Sequence, residues 1–144
     1  MTYEEFEVLV AEEFPGAVPE KFRARVSNVA FLVEEEPSPE VCKAEGLGPG
    51  GTLLGYYKGI PHTARGGWYG VGGTLPDTIT LYQLPIEEEA SHVRHSNILQ
   101  NVRMSFEECV RTVVRETIWH EVAHHFGMDE HEVRQKEHER DANK

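Results

Sequence analysis

Two histidines and a glutamate stand in the order His120-Glu121-Val122-Ala123-His124. Residues four apart on a helix share one face, with Cβ atoms roughly 6 Å apart, so two imidazoles at this spacing can converge on one ion. Zinc takes nitrogen ligands at about 2.0–2.1 Å and prefers a tetrahedron, so two histidines leave one position for a third protein ligand and one for water. A carboxylate one residue past the first ligand reaches that water rather than the ion. It can take the proton as the water attacks a carbonyl and later deliver it to the leaving amine. The expectation is one zinc ion held by His120 and His124, with Glu121 as general base in the hydrolysis of a peptide bond.

The third ligand must come from elsewhere, and the chain continues His125-Phe126-Gly127-Met128-Asp129-Glu130-His131. Gly127, three residues past the second histidine, can break the helix and turn the chain back, carrying Glu130 to the metal. Asp129, His131 and His125 compete for that place, as does a residue from another segment. A helix end decorated with histidines, whose positive form suits the negative end of the helix dipole, is the plainer reading of the same pattern. A zinc-binding domain that interacts with another protein without hydrolysis is the alternative function.

These residues need a helix to carry them. Phe106, Cys109, Val110, Val113, Val114, Thr117, Ile118 and Ala123 form a wide apolar stripe over residues 106–126, which predicts a largely buried helix. Ser105 with Glu108 three residues on is a capping box, and Gly127 can end the helix in a left-handed turn. Asp129 can cap a last, mostly polar helix over residues 130–140. Upstream, residues 87–101 read as another helix. Residues 78–82 (TITLY) alternate as a strand, with residues 52–58 (TLLGYYK) a second candidate and residues 29–33 a short buried third. At the start, Tyr3, Phe6, Leu9, Val10 and Phe14 recur at helical spacing over residues 2–13, ended by Pro15 and Gly16. Pro19 then opens a short helix with Phe22 and Val26. Residues 34–51, rich in proline and glycine, are expected to form a loop, as are residues 59–74. In the latter, Trp68 and Tyr69 stand among glycines and can line a groove or fold the loop onto the core, while Arg65 can bind a substrate carboxylate or form a structural ion pair.

Composition narrows the partners. With 144 residues, 39% hydrophobic and 27% charged, the chain suits one domain over residues 1–144. No apolar run approaches the roughly 20 residues that cross a bilayer, and the first 13 residues are acidic where a signal peptide is basic and then apolar. A cytoplasmic protein is expected. The formal charge of −11 opposes binding to a nucleic-acid backbone or to an anionic membrane surface, which leaves a peptide or protein as the expected partner. Cys42 and Cys109 are too few to staple the fold and are read as reduced, Cys109 as a small buried hydrophobe. His62, His92 and His95 are read as surface or loop residues, and residues 34–36 and 87–89, all glutamate, as solvated faces.

The run HEVAHHFGMDE at residues 120–130 carries a wider resemblance. Taken with LLGYYKGIP at 53–61, Arg65, LPDTITLY at 75–82 and YEEFEVLVAEEFPGAVPEKF at 3–22, it resembles the bacterial minimal-zincin, or zincin-like metallopeptidase, family. It is most like that family's small Thermus-type members, and the similarity spans nearly the whole chain. The resemblance implies an α+β fold in which a short mixed β-sheet packs against a long active-site helix, with N-terminal and C-terminal helices. It also implies His120, His124 and Glu130 as zinc ligands and Glu121 as base; members often carry Asp at the Glu130 position. In zincins the edge strand beside the active-site helix holds the substrate backbone, a role open here to either TITLY or TLLGYYK.

Overall fold

A computed structural model describes residues 1–24, 28–48, 51–59, 75–127, 135 and 138. It has helices and a small mixed three-stranded sheet, the α+β arrangement expected. Helix α1 (Tyr3–Glu13) begins with a full capping box: the Thr2 hydroxyl accepts from the Glu5 N–H, and the Glu5 carboxylate accepts from the Thr2 N–H. Its buried face is Phe6, Leu9 and Val10. Tyr3, assigned to that face from its spacing, instead lies at the rim and donates its hydroxyl to the Val33 carbonyl at 2.6 Å. Pro15 and Gly16 end the helix in a 3₁₀ turn, and a second such turn covers Glu20–Phe22. Val26 lies outside the described residues.

The sheet has the order β1 (Val29–Glu34), β3 (Asp77–Tyr82), β2 (Gly55–Lys58). β3 is central, parallel to β1 and antiparallel to β2. Being covered on both faces, it buries every residue from Ile79 to Tyr82, not only the alternate set that its sequence suggests. β1 is correspondingly less buried than its run of apolar residues implies. It is an edge strand, with Val33 buried and Leu32 half exposed.

One segment read as loop contains a helix. α2 (Pro39–Ala44) starts at Ser38, whose hydroxyl accepts from the Val41 N–H at 3.2 Å. Pro39 occupies the first helical position, where the missing N–H costs nothing, and Gly46 follows the helix in the left-handed region at φ 68°. The breakers therefore flank the helix and do not interrupt it.

Helix α3 (Gln83–Leu99) begins four residues before the start expected at Glu87, directly out of β3. Pro85 is its third residue, where the first-turn N–H groups have no helical partner and proline is tolerated. Asn101, at φ 63°, ends the run. Helix α4 (Phe106–His125) is capped by the Ser105 hydroxyl, which accepts from the Glu108 N–H at 3.1 Å. It terminates at Gly127, at φ 76°. Its stripe is buried as expected from Cys109 to Ala123 and gains Trp119 and Val122, while Phe106 is only partly buried. The core joins this stripe to Ile79 and Leu81 of β3, Phe6 and Val10 of α1, and Ile86 and Ala90 of α3. Arg111 and Arg115 of α4 add ion pairs to Glu12 and Glu13 at the end of α1. Partly solvated pairs of this kind contribute on the order of 1 kcal/mol each, far less than the burial of the apolar stripe that fixes the position of α4. No helix among the described residues is long and apolar enough to cross a membrane.

Candidate metal and catalytic site

The last turn and a half of α4 changes character. After the buried Ile118 and Trp119, His120 and Glu121 are half-buried and His124 and His125 exposed, while Val122 and Ala123 turn inward. The His120 Nδ1 lies 2.8 Å from the Glu116 carbonyl one turn back. A carbonyl only accepts, so Nδ1 carries a proton, and in the neutral ring it is Nε2 that holds the lone pair a metal requires. Fixing the far nitrogen of a histidine in this way also sets the orientation of its ring.

His124 follows on the same face, its ring centre 6.1 Å from that of His120 at 66° between planes. A ligating nitrogen about 2.0 Å from zinc puts the ion about 3.2 Å from the ring centre, so two tetrahedral ligands have centres about 5.2 Å apart. The observed pair is within about 1 Å of that spacing, a difference small rotations of the side chains close. Two neutral imidazoles at this spacing are a donor pair that suits zinc. Glu130, Asp129 and His131, the sequence candidates for the third ligand, lie outside the described residues. Among the described residues no group of three His, Cys, Asp or Glu capable of holding a metal occurs.

Glu121 points toward the sheet edge. Burial pushes its carboxyl above the usual carboxylate range; the Tyr57 backbone N–H, donating to it, and the His124 and His120 rings pull the other way, and Glu45 adds to the rise. β2 comes this close because residue 55 is glycine. A Cβ on Gly55 would lie 2.8 Å from the Thr117 Cγ2, 3.2 Å from the Thr80 carbonyl and 3.7 Å from the Glu121 Cγ. The pairing of β2 with β3 is also informative. The Tyr82 N–H donates to the Leu54 carbonyl, so Leu54, Tyr56 and Lys58 aim their backbone groups at β3, while Gly55 and Tyr57 aim theirs outward over α4. Of the two strands open as substrate-holding edge, β3 is therefore ruled out by its central place, and β2 is the edge that lies beside α4.

His125, a competitor for the third-ligand place, sits one residue round the helix and is engaged elsewhere. Its ring stacks on Tyr57 with centres 4.0 Å apart at 19°. Its Nε2 lies 3.9 Å from the Asp77 Oδ2, which accepts the Tyr57 hydroxyl at 2.5 Å. Sequence reading missed this Tyr57–Asp77–His125 group, because its members come from three elements and no spacing links them. The glycine inside the strand pattern of residues 52–58 was the one available sign that backbone approaches closely there. Arg65, Trp68 and Tyr69 lie outside the described residues, as does His62; His92 and His95 are exposed on α3, away from the motif. Both cysteines are free, and burial pushes the Cys109 thiol up, as suits an inert core residue.

None of the curated proteins compared with the chain matches it. The sequence model of the family described as zincin-like metallopeptidase does match, over residues 26–140, a stretch that holds the sheet, α3, α4 and the histidine pair. The chain belongs to the zincin-like metallopeptidase family.

Proposed function

We propose that the chain is a zinc-dependent peptidase in which His120, His124 and Glu130 hold one zinc ion and Glu121 is the general base. The observation that carries this reading is the pairing of two differently prepared groups on one helical turn. His120 has its ring oriented by the Nδ1 proton on the Glu116 carbonyl, and Glu121 is a half-buried carboxylate raised toward the working range of a base. A bound zinc ion supplies a Lewis acid that polarises a peptide carbonyl and makes water more acidic.

The chain's own residues do the rest. Glu121 takes a proton from the attacking water on its free carboxylate oxygen and hands it to the leaving amine nitrogen. Tyr57, through its N–H, holds the other side of that carboxylate against β2. The outward backbone groups of β2 not used by Glu121, the Gly55 N–H and carbonyl and the Tyr57 carbonyl, bind an extended peptide by strand addition, which presents a carbonyl to the pair. Arg65, Trp68 and Tyr69 belong to the same proposal as substrate contacts, with Arg65 on a substrate carboxylate and the two rings lining the groove. The reading takes residues 1–144 as one domain acting in the cytoplasm on peptides or proteins, with neither nucleic acid nor membrane as partner.

The test is turnover of a quenched peptide library by the zinc-loaded protein and by Glu121→Gln. The substitution should retain zinc and lose about 10²–10⁴-fold in rate. Equal turnover by both overturns the catalytic role. A Tm that rises with zinc while neither protein hydrolyses any peptide would instead mark a zinc-stabilised interaction domain.

A further inference from the structure

A cleft of about 340 Å³ opens beside the histidine pair, between the approach to β2, helix α3 and helix α4. His120 and Glu121 form part of its wall, so whatever enters it lies next to the proposed reacting groups. Its floor is apolar, with Leu54, Val93 and the buried Val113. Its remaining walls carry two further carboxylates, Glu89 on α3 and Glu116 on α4, both exposed, and no Lys or Arg among the described residues lines it. An apolar lining in an open cleft flanked by carboxylates suits a long aliphatic stem ending in a cation.

From this we infer that the cleft is a specificity pocket for lysine or arginine flanking the scissile bond. The inference rests on the peptidase reading for the words scissile bond, but not for the pocket's choice of side chain. The stem lies on Leu54, Val93 and Val113, and the ammonium or guanidinium reaches Glu89 and Glu116. The formal charge of −11 acts in the same direction, drawing basic peptides toward the molecule and repelling acidic ones. Leucine or phenylalanine fills the floor but leaves the rim unused, and an acidic residue is repelled by it.

The test is binding of acetyl-Ala-Lys-Ala-amide and its Leu and Glu analogues, followed by NMR titration of the amides of Gly55, Val93 and Glu116. It uses the zinc-loaded Glu121→Gln protein so that the peptide stays intact. The lysine peptide should bind at least about five-fold tighter than the leucine peptide, with the glutamate peptide weakest. The difference should shrink between about 50 and about 500 mM NaCl, because exposed charges are screened. Adding Glu89→Lys and Glu116→Lys together, both at exposed positions, should reverse the order of the lysine and glutamate peptides. A leucine peptide that binds as tightly as the lysine one, or an order that survives the charge reversal, overturns the assignment. Lysine-selective binding without any cleavage by the wild-type protein sustains the pocket and removes the peptidase reading. Cleavage at a rate indifferent to Lys or Arg does the opposite.

Discussion

The two halves of α4 are made of the same helix and held by different means. From Cys109 to Val114 its inward residues are at most 4% exposed and pack into the shared core. From His120 to His125 the helix has little apolar burial left except Val122 and Ala123, and what surrounds it is polar: the Tyr57 N–H on Glu121, the Tyr57 ring on His125, and Asp77 behind both. The buried half supplies position, since a packed helix carries its last turn along as a rigid extension. The second half adds only Val122 and Ala123 to that burial, and its other residues present ligands and a base. Substitutions in the two halves should therefore fail in different ways.

The largest effect is expected where the halves meet. Trp119 is completely buried and tilts against Phe22 at 5.7 Å between ring centres, one residue before the first proposed ligand. Trp119→Ala should lower the unfolding free energy by about 3–5 kcal/mol in urea titrations of the metal-free protein. His124→Ala, at an exposed position five residues on, should cost under about 1 kcal/mol in the same experiment and yet abolish the rise in Tm on adding zinc. Comparable losses of metal-free stability in both variants would erase the distinction between the halves.

That division also explains which parts of the protein were legible in the sequence. α4 was readable from Ser105 to Gly127, because its stripe, its cap and its left-handed terminus are all local signals. The His120–Glu121–His124 group was readable for the same reason, since helical spacing alone puts it on one face. What failed was either positional or non-local. Pro39 belongs to a proline- and glycine-rich stretch that reads as a loop, and Pro85 stands just ahead of the helix expected from residue 87, yet each sits in a first turn, where proline breaks nothing. The apolar run of β1 could not reveal that it would occupy a sheet edge, a property of strand order and not of composition. The hold of Tyr57 on Glu121 uses a backbone N–H, a donor that every residue but proline possesses and that leaves no trace in residue type. The cleft lined by Glu89, Glu116 and Leu54 joins three elements far apart in the chain, so Glu89 read only as part of a solvated run.

A second, smaller effect probes the sheet beneath the site. Tyr82, at the end of β3, is 1% exposed. Burial, and then the nearby Glu34, Tyr56, Cys42 and Glu121, hold its phenol up to about 12. The ordinary phenol value near 10 applies to the unfolded chain, so the folded state keeps this proton longer. The stabilising difference is present in full below pH 10 and is lost as the pH rises from 10 toward 12. The difference is on the order of 2–3 kcal/mol at most. Phenolate absorbance during a pH titration should show one of the five tyrosines lagging the others and appearing together with alkaline unfolding. In Tyr82→Phe the lagging component should vanish and stability between pH 10 and 12 should fall less steeply. A lagging tyrosine that persists in this variant would place the buried phenol elsewhere.

A smaller change in stability than those of Trp119 and Tyr82 should come from a local change at the site. Gly55 lets β2 lie on the outer half of α4, where an added Cβ would meet Thr117 Cγ2 at 2.8 Å and the Thr80 carbonyl at 3.2 Å. The Thr117 methyl cannot swing away cheaply, since its hydroxyl donates to the Val113 carbonyl at 2.7 Å and its rotamer is thereby fixed. The strand must move instead. Gly55→Ala should cost about 1–2 kcal/mol, the range of a modest overpacking, whereas Gly16→Ala, with nothing within 4 Å of the added carbon, should be neutral or slightly stabilising. The informative readout is hydrogen exchange at the Tyr57 amide. That N–H reaches Glu121 only while β2 stays pressed on the helix, so its exchange should accelerate in Gly55→Ala beyond what the loss of global stability accounts for. The amides of Val110 and Val114 should track global stability alone. If the Tyr57 amide also does no more than follow global unfolding, the outer half of α4 is held as firmly as the inner half, and the contrast between them disappears.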